Sequence, residues 1–283
     1  MSEIKTLEII PSYFADSSWW EHVPVAHILV ELLEPNVVVE LGSHNGVSFF
    51  SFCEAAEKLS SKSHIYAIDS WEGDVQAGYY GEEVYQRVKQ HKDSFYADRA
   101  TLLRKKFDDA LSEFEDNSID LLHIDGLHTY DAVKHDLTTW EQKVKDGGTI
   151  IFHDWNEKGD GFGVWKLWEE IKGCEKYKCI EFENGHGLGI ATLSNKSPIW
   201  HDKVKEYMYT LVCKGKLLSE INKRDRELRL NDVKLRIKDE HISNLEKMYS
   251  SRSKELMDAI LQIEEINKPL NILELIKRAI MKN

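Results

Sequence analysis

Several features that would settle a protein's class at once are missing from this chain. Its 283 residues include only four cysteines, Cys53, Cys174, Cys179 and Cys213, none in a C-x-x-C pair. Neither a zinc framework nor a disulfide scaffold is therefore indicated. No apolar run reaches the ~18 residues of a membrane span. The opening Met-Ser-Glu-Ile-Lys-Thr lacks the basic-then-apolar order of a secretory signal, so a cytoplasmic location is expected. Basic charge is scarce in the first 200 residues, where 19 Lys and Arg face 35 Asp and Glu, a net charge of −16. A domain that acidic repels phosphate backbones, and no nucleic-acid substrate is expected.

What is present is 42% hydrophobic and 30% charged, the make-up of a soluble globular chain. Up to about residue 200, short β-branched runs alternate with helical stretches, which predicts a parallel sheet with helices on both faces. The predicted strands are Val37–Leu41, His64–Asp69, Thr101–Arg104, Ile119–Asp125 and Thr149–Asp154, the last introduced by the turn Asp146-Gly147-Gly148. A helix follows the first strand over Asn45–Leu59, and Cys179–Phe182 with Leu188–Leu193 read as a closing antiparallel hairpin. The expected fold is thus α/β, Rossmann-like and doubly wound with a mostly parallel sheet, followed by a long C-terminal helix or coiled coil.

Chemistry-bearing residues fall at the carboxyl ends of these strands, where open α/β sheets bind ligands. Glu40-Leu-Gly42-Ser43-His-Asn-Gly46 turns strand into helix, with glycines that let backbone approach a ligand and helix N–H groups left free. It does not read G-x-G-x-x-G, which speaks against an NAD-type oxidoreductase. Asp69, at the next strand tip, stands where a nucleoside ribose would be gripped. Asp125-Gly-Leu-His128 and His153-Asp154 end two further strands, and two carboxylates with two imidazoles make a metal site with a base beside it. Strand-end aspartates also cap following helices, and His153 equally fits a satisfied core histidine.

These segments together, Val37–Gly46, Tyr66–Trp71, Leu121–Tyr130 and Phe152–Asp154, resemble class I S-adenosylmethionine-dependent methyltransferases. They look like the members often found with bacterial glycosyltransferases, and are also similar to the metal-dependent sugar O-methyltransferases of macrolide tailoring. The likeness covers roughly residues 20–195, and Gly161-Phe-Gly-Val-Trp-Lys-Leu-Trp shares it. It implies that Glu40, Gly42, Ser43 and Gly46 cradle the methionine part of the cofactor, that Asp69 binds its ribose, and that Ser70 and Trp71 lie near its adenosine. It also implies Asp125 and Asp154 as ligands of Mg²⁺ or Mn²⁺, His128 as general base, and a sugar hydroxyl of a glycan or glycoside as acceptor. His153 stands where relatives can carry a carboxylate. As a ligand it would favour Mn²⁺ or another imidazole-tolerant ion; otherwise it supports the ligands or belongs to the core. A metal-dependent oxygenase or hydrolase using the same cluster is the alternative enzyme. A ligand-binding scaffold that recruits a partner through the tail is the alternative outside enzymes.

The expected domains are a methyltransferase domain over 1–198, a helical extension over 199–268 and a basic amphipathic helix over 269–283. Residues 201–283 carry 18 Lys and Arg against 14 Asp and Glu, a net charge of +4. One apolar column repeats every seven residues through Ile221, Leu228, Leu235, Ile242, Tyr249, Leu256 and Ile263, the period of a coiled coil. Its companion column is acidic: Asp225, Asp232, Asp239 and Glu246. A second copy of the chain or a glycosyltransferase is the expected partner of this tail. Pro269 should interrupt the helix, and the basic segment after it fits either a seat on its own domain or a partner, or the surface of an inner membrane.

Overall fold

The computed structural model describes residues 4–159 and 161–266, together with 277 and 281. Apart from those last two positions, the expected segment 269–283 and the break at Pro269 lie outside the described residues. Two 3-10 turns, Lys5–Glu8 and Ser18–His22, lead into α1 (Val23–Leu33), which carries Pro24 in its first turn, where a missing N–H leaves no hydrogen bond unmade. Then come β1 (Val37–Leu41), α2 (Val47–Lys58), β2 (His64–Asp69) and a small ribbon of β3 (Gly73–Asp74) and β4 (Gly78–Tyr79). They are followed by α3 (Glu82–Phe95), β5 (Ala100–Arg104), α4 (Phe107–Ala110), β6 (Ile119–Ile124), α5 (Tyr130–Trp140) and β7 (Val144–His153). α6 (Val164–Gly173), β8 (Tyr177–Phe182), β9 (Leu188–Leu193) and α7 (Ile199–Ile266) complete the described chain.

Seven strands form one sheet in the order β5-β2-β1-β6-β7-β9-β8, parallel except for β9, which runs antiparallel to both its neighbours. The doubly wound, mostly parallel fold read from the sequence is the fold observed. Strand alternation shows why both faces are apolar: Val38 and Leu121 enter one hydrophobic layer, while Val39, Leu41, Leu122 and Ile124 enter the other. β7 starts five residues earlier than the sequence predicts, because the glycine turn at 146–148 is absorbed as an irregularity in its pairing with β6.

The first compact unit runs to Arg224, and the second begins at Asp225. The first turns of α7 belong to the first unit because His201, Val204, Leu211 and Leu218 are buried on one stripe. Each of these aliphatic side chains contributes about 1.5–3 kcal/mol by burial. Gly215 makes the close approach possible: a Cβ there would stand 2.0 Å from the Glu21 carbonyl oxygen. Lys214 adds hydrogen bonds from Nζ to the carbonyls of Leu7 and Ile9, at 2.8 and 2.7 Å. In the second unit the heptad column from Leu228 to Ile263 is exposed.

Candidate active site

The carboxyl ends of β1, β2, β6 and β7 open on one cavity of about 840 Å³. Its walls include Gly42, Ser43, Asp69, Ser70, Asp125, His128 and Asp154. Gly42 has φ +88°, and a Cβ on it would lie 2.0 Å from the Asp125 carbonyl oxygen. Its side-chain-free backbone therefore lets the β1 turn close against the end of β6. A hydrogen bond from Asp125 N–H to Leu41 O holds this junction, and one from Gly42 N–H to Ile68 O ties the same turn to β2, both 2.9 Å.

Asp69 organises the turn from the tip of β2. Its Oδ2 accepts the backbone N–H groups of Ser43 and His44, each at 2.9 Å, and its Oδ1 accepts that of Trp71 at 2.7 Å. Trp71 has φ +53°, an unusual conformation for so large a residue. It is 1% exposed, and its indole N–H donates to the His44 carbonyl at 3.0 Å. Trp71 thus braces the loop from behind and does not line the cavity. Glu40 is also set back: it is fully buried, accepting a hydrogen bond from the Ser43 hydroxyl and pairing with His123 Nδ1 at 2.9 Å. Gly46, with φ +79°, caps the start of α2 and likewise lies outside the cavity wall.

On the other side Asp125, His128 and Asp154 each offer one ligand atom within 4.8 Å of the others, a set that could hold a metal ion. His128 Nε2 lies 3.3 Å from Asp125 Oδ1 and 3.0 Å from Asp154 Oδ2. Asp154 has left the strand with φ +61°, a conformation an aspartate tolerates better than most residues. His153 is only 2% exposed and is absent from the cavity wall. Its Nδ1 reaches both carboxylates from beneath, 3.3 Å from Asp125 Oδ1 and 3.2 Å from Asp154 Oδ1, and its Nε2 is buried without a hydrogen-bond partner.

The electrostatics follow from this packing. Burial would lower the pKa of His128, but Asp125 and Asp154 outweigh it and push the group up to about 9. The same opposition takes His153 to about 10. Burial alone would raise both aspartates, yet His153 and His128 hold them below the usual carboxylate range. Positive charge is thus favoured between the carboxylates, the condition a bound cation would also satisfy.

The structure brings Gly42, Ser43, Asp69, Ser70, Asp125, His128 and Asp154 to one cavity, and leaves Glu40, Gly46, Trp71 and His153 as its support. Two contributors escape the sequence reading. His123 was open to detection as a histidine inside the apolar run of β6. Gln76, whose side chain meets His128, carries no local signature.

A doubly wound sheet of this strand order, with a ligand cavity over its parallel strand ends, defines a class I methyltransferase fold. Residues 39–155 match the family model described as a methyltransferase domain. Among curated proteins, the chain is 41% identical over 181 residues to the uncharacterized protein y4gI of Sinorhizobium fredii, across 64% of this chain and 20% of that one. The chain therefore spans about a fifth of the curated relative it matches. Among solved structures, cofactor-bound Rv0187 from MTB aligns with a TM-score of 0.50 at 12% identity, covering 69% of this chain and 87% of that one. The O-methyltransferase TomG from Streptomyces achromogenes, solved with SAM, aligns with a TM-score of 0.49 at 13% identity, over 65% and 83% of the two chains.

Proposed function

We propose that the protein is an S-adenosylmethionine-dependent O-methyltransferase, assisted by a divalent metal, that methylates a sugar hydroxyl of a bacterial glycan or glycoside. The observation that carries this reading is one cavity shared by the Gly42–Ser43–Asp69 face and the Asp125–His128–Asp154 face. Its volume of about 840 Å³ has room for a nucleoside cofactor beside an acceptor. Two carboxylates and one imidazole suit Mg²⁺ or Mn²⁺, the imidazole favouring Mn²⁺.

When bound, S-adenosylmethionine supplies an electrophilic sulfonium methyl, and the cation lowers the pKa of the hydroxyl that receives it. Asp69, Ser70 and the Ser43–His44 turn would hold the cofactor, Asp69 by its ribose and Ser70 by its adenosine. Asp125 and Asp154 would hold the cation. His128 Nε2 takes the hydroxyl proton and passes it to solvent, while the cavity walls align oxygen with methyl. Glu40, Trp71 and His153 act from behind, through the turn and the carboxylates they touch.

The test is methyl transfer to surface-glycan acceptors from labelled S-adenosylmethionine. Exhaustive chelation and Asp125→Asn should each lower turnover by about two orders of magnitude. Turnover that survives both would refute metal assistance. Failure to bind S-adenosylhomocysteine would favour a metal-dependent hydrolase or oxygenase instead.

The exposed heptad column of the second unit is proposed as the seat of another helix, from a second copy or a glycan-assembly glycosyltransferase. No described helix is long and apolar enough to cross a membrane. We propose a cytoplasmic protein whose basic tail end contacts the inner membrane peripherally.

A further inference from the structure

The β3–β4 ribbon reaches over the cavity, and the turn at its tip is built for a purpose the cofactor loop does not explain. Asp74 Oδ1 accepts the backbone N–H groups of Gln76 and Ala77 at 2.6 and 2.8 Å, closing a tight aspartate turn. Gly73, with φ +76°, keeps the two strands close: a Cβ on it would fall 2.1 Å from the Gly78 carbonyl oxygen. Val75 and Tyr79 point outward at 77% and 78% exposure, while Gln76 lines the cavity.

One atom of Gln76 meets His128 twice. The side-chain oxygen Oε1 lies 2.9 Å from the His128 backbone nitrogen and 3.3 Å from ring nitrogen Nδ1. A backbone N–H can only donate, so the amide atom facing it must be the oxygen. An oxygen in that place can only accept from Nδ1, which must therefore carry a proton. Nε2, on the opposite edge of the ring, faces Asp125 and Asp154 and donates to these acceptors when protonated; its proton is the one a cation held between the carboxylates would displace, leaving the Nε2 lone pair free. The ring is held on three sides: Gln76 on one edge, the carboxylates on the other, and Phe162 stacked on its face at 5.2 Å and 19°.

We propose that Gln76 is a positioning residue that fixes the proton of His128 on Nδ1 and so directs the single Nε2 lone pair to the metal when no acceptor is bound and to the hydroxyl proton when one is. The inference rests on the reading of His128 as the ligand or base of a metal-assisted site. It extends that reading to a residue on a different strand pair, 52 positions away in sequence. The ribbon is on this account part of the reactive apparatus as well as its cover.

Gln76→Met keeps the length and removes the acceptor; Gln76→Glu keeps an acceptor. Three quantities are measured on the full chain. They are Mn²⁺ affinity without cofactor or acceptor, the imidazole Nδ1–H proton resonance of His128 in metal-free protein, and kcat with the KM values for S-adenosylmethionine and the acceptor. Gln76→Met should weaken Mn²⁺ binding and lower kcat by about tenfold or more, as loss of a histidine's outer hydrogen bond does elsewhere. The KM for S-adenosylmethionine should not move, and the Nδ1–H resonance should be lost to solvent exchange. Gln76→Glu should retain the resonance and most of the Mn²⁺ affinity. A Gln76→Met protein with the resonance and Mn²⁺ affinity of the wild type would overturn the proposal, as would a rise in acceptor KM alone. So would a Gln76→Glu protein as impaired as Gln76→Met. Wild-type protein that binds no Mn²⁺ refutes metal assistance itself, and the Nδ1–H resonance still decides the role of Gln76.

Discussion

Replacing Gly42 by alanine tests whether the junction between the β1 turn and the end of β6 is as tight as it looks. Two costs arise. At φ +88° an L-residue is strained by about 1–2 kcal/mol. The new methyl would also sit 2.0 Å from the Asp125 carbonyl oxygen and 2.7 Å from its carbon, which are backbone atoms with no rotamer to yield. The turn or the strand end must shift by about 1 Å, and overpacking of this kind costs about 1–3 kcal/mol more. A total of roughly 3 kcal/mol lowers Tm by about 6–12 °C in a domain of this size. Because the same shift displaces both Asp125 and the Ser43–His44 amides, methyl transfer should fall by about 100-fold. Gly78→Ala separates the two costs. Gly78 has φ +81° with open space around it, so it should show the backbone strain alone. Thermal denaturation by circular dichroism and calorimetric binding of S-adenosylhomocysteine read the outcome. If Gly42→Ala and Gly78→Ala lose the same stability and bind S-adenosylhomocysteine equally well, the close approach has no consequence and the reasoning fails.

Two further changes probe the fold around the site. Asp136 on α5 is buried, and burial, with a contribution from Asp108 against an opposing one from His135, pushes its carboxyl up to about 7. A raised carboxyl means the unfolded chain ionises first as pH rises. The penalty therefore begins near the unfolded value of 3.8 and is complete above about 7. Asp136→Asn should match wild-type stability near pH 4 and exceed it at pH 8 by an amount on the order of 4 kcal/mol, read as a higher Tm; a difference that does not vary with pH would contradict the assignment. Gly215→Val should lift the first turns of α7 off Glu21, since its Cβ would lie 2.0 Å from a carbonyl oxygen. A cost of about 3 kcal/mol, read as lower Tm and faster proteolysis, is expected from overpacking and the lost burial of neighbours such as Leu211 and Leu218. Unchanged Tm would show that the helix is not seated there.

Much of the fold was legible because it rests on local patterns. β1 and β6 announce themselves as short β-branched or apolar runs ended by Gly42 and Asp125, and alternation over their few residues is enough to set both faces. The extent of the first unit was harder to see. Val204, Leu211 and Leu218 lie seven residues apart and their column turns acidic at Asp225, but the neighbouring apolar column from Ile221 onward runs on, so the helical periodicity continues past the place where burial stops. What distinguishes the two stretches is Gly215 and the backbone beneath it, a contact between positions nearly two hundred residues apart.

The site shows the same division at closer range. Residue type and strand-end position identified Asp69, Asp125, His128 and Asp154 as candidates, because a parallel sheet gathers its carboxyl ends on one side. Position along a strand cannot say how deep a side chain sits. His153 and Asp154 are neighbours, yet Asp154 turns out of the strand at φ +61° into the cavity, while His153 keeps the strand's direction and stays beneath. Glu40 and Asp69 differ likewise: both end strands, but Glu40 is spent on Ser43 and His123, and only Asp69 reaches the cavity. The functional surface is therefore one layer thinner than the motif, and the layer behind it carries almost as many ionisable groups. Buried carboxylates and imidazoles so placed must compensate one another's charge, because each alone would carry a desolvation cost of several kcal/mol. The sequence could not separate reacting residues from supporting ones because both need the same chemistry: a histidine that holds an aspartate resembles a histidine that acts beside it until the backbone shows which way each one faces.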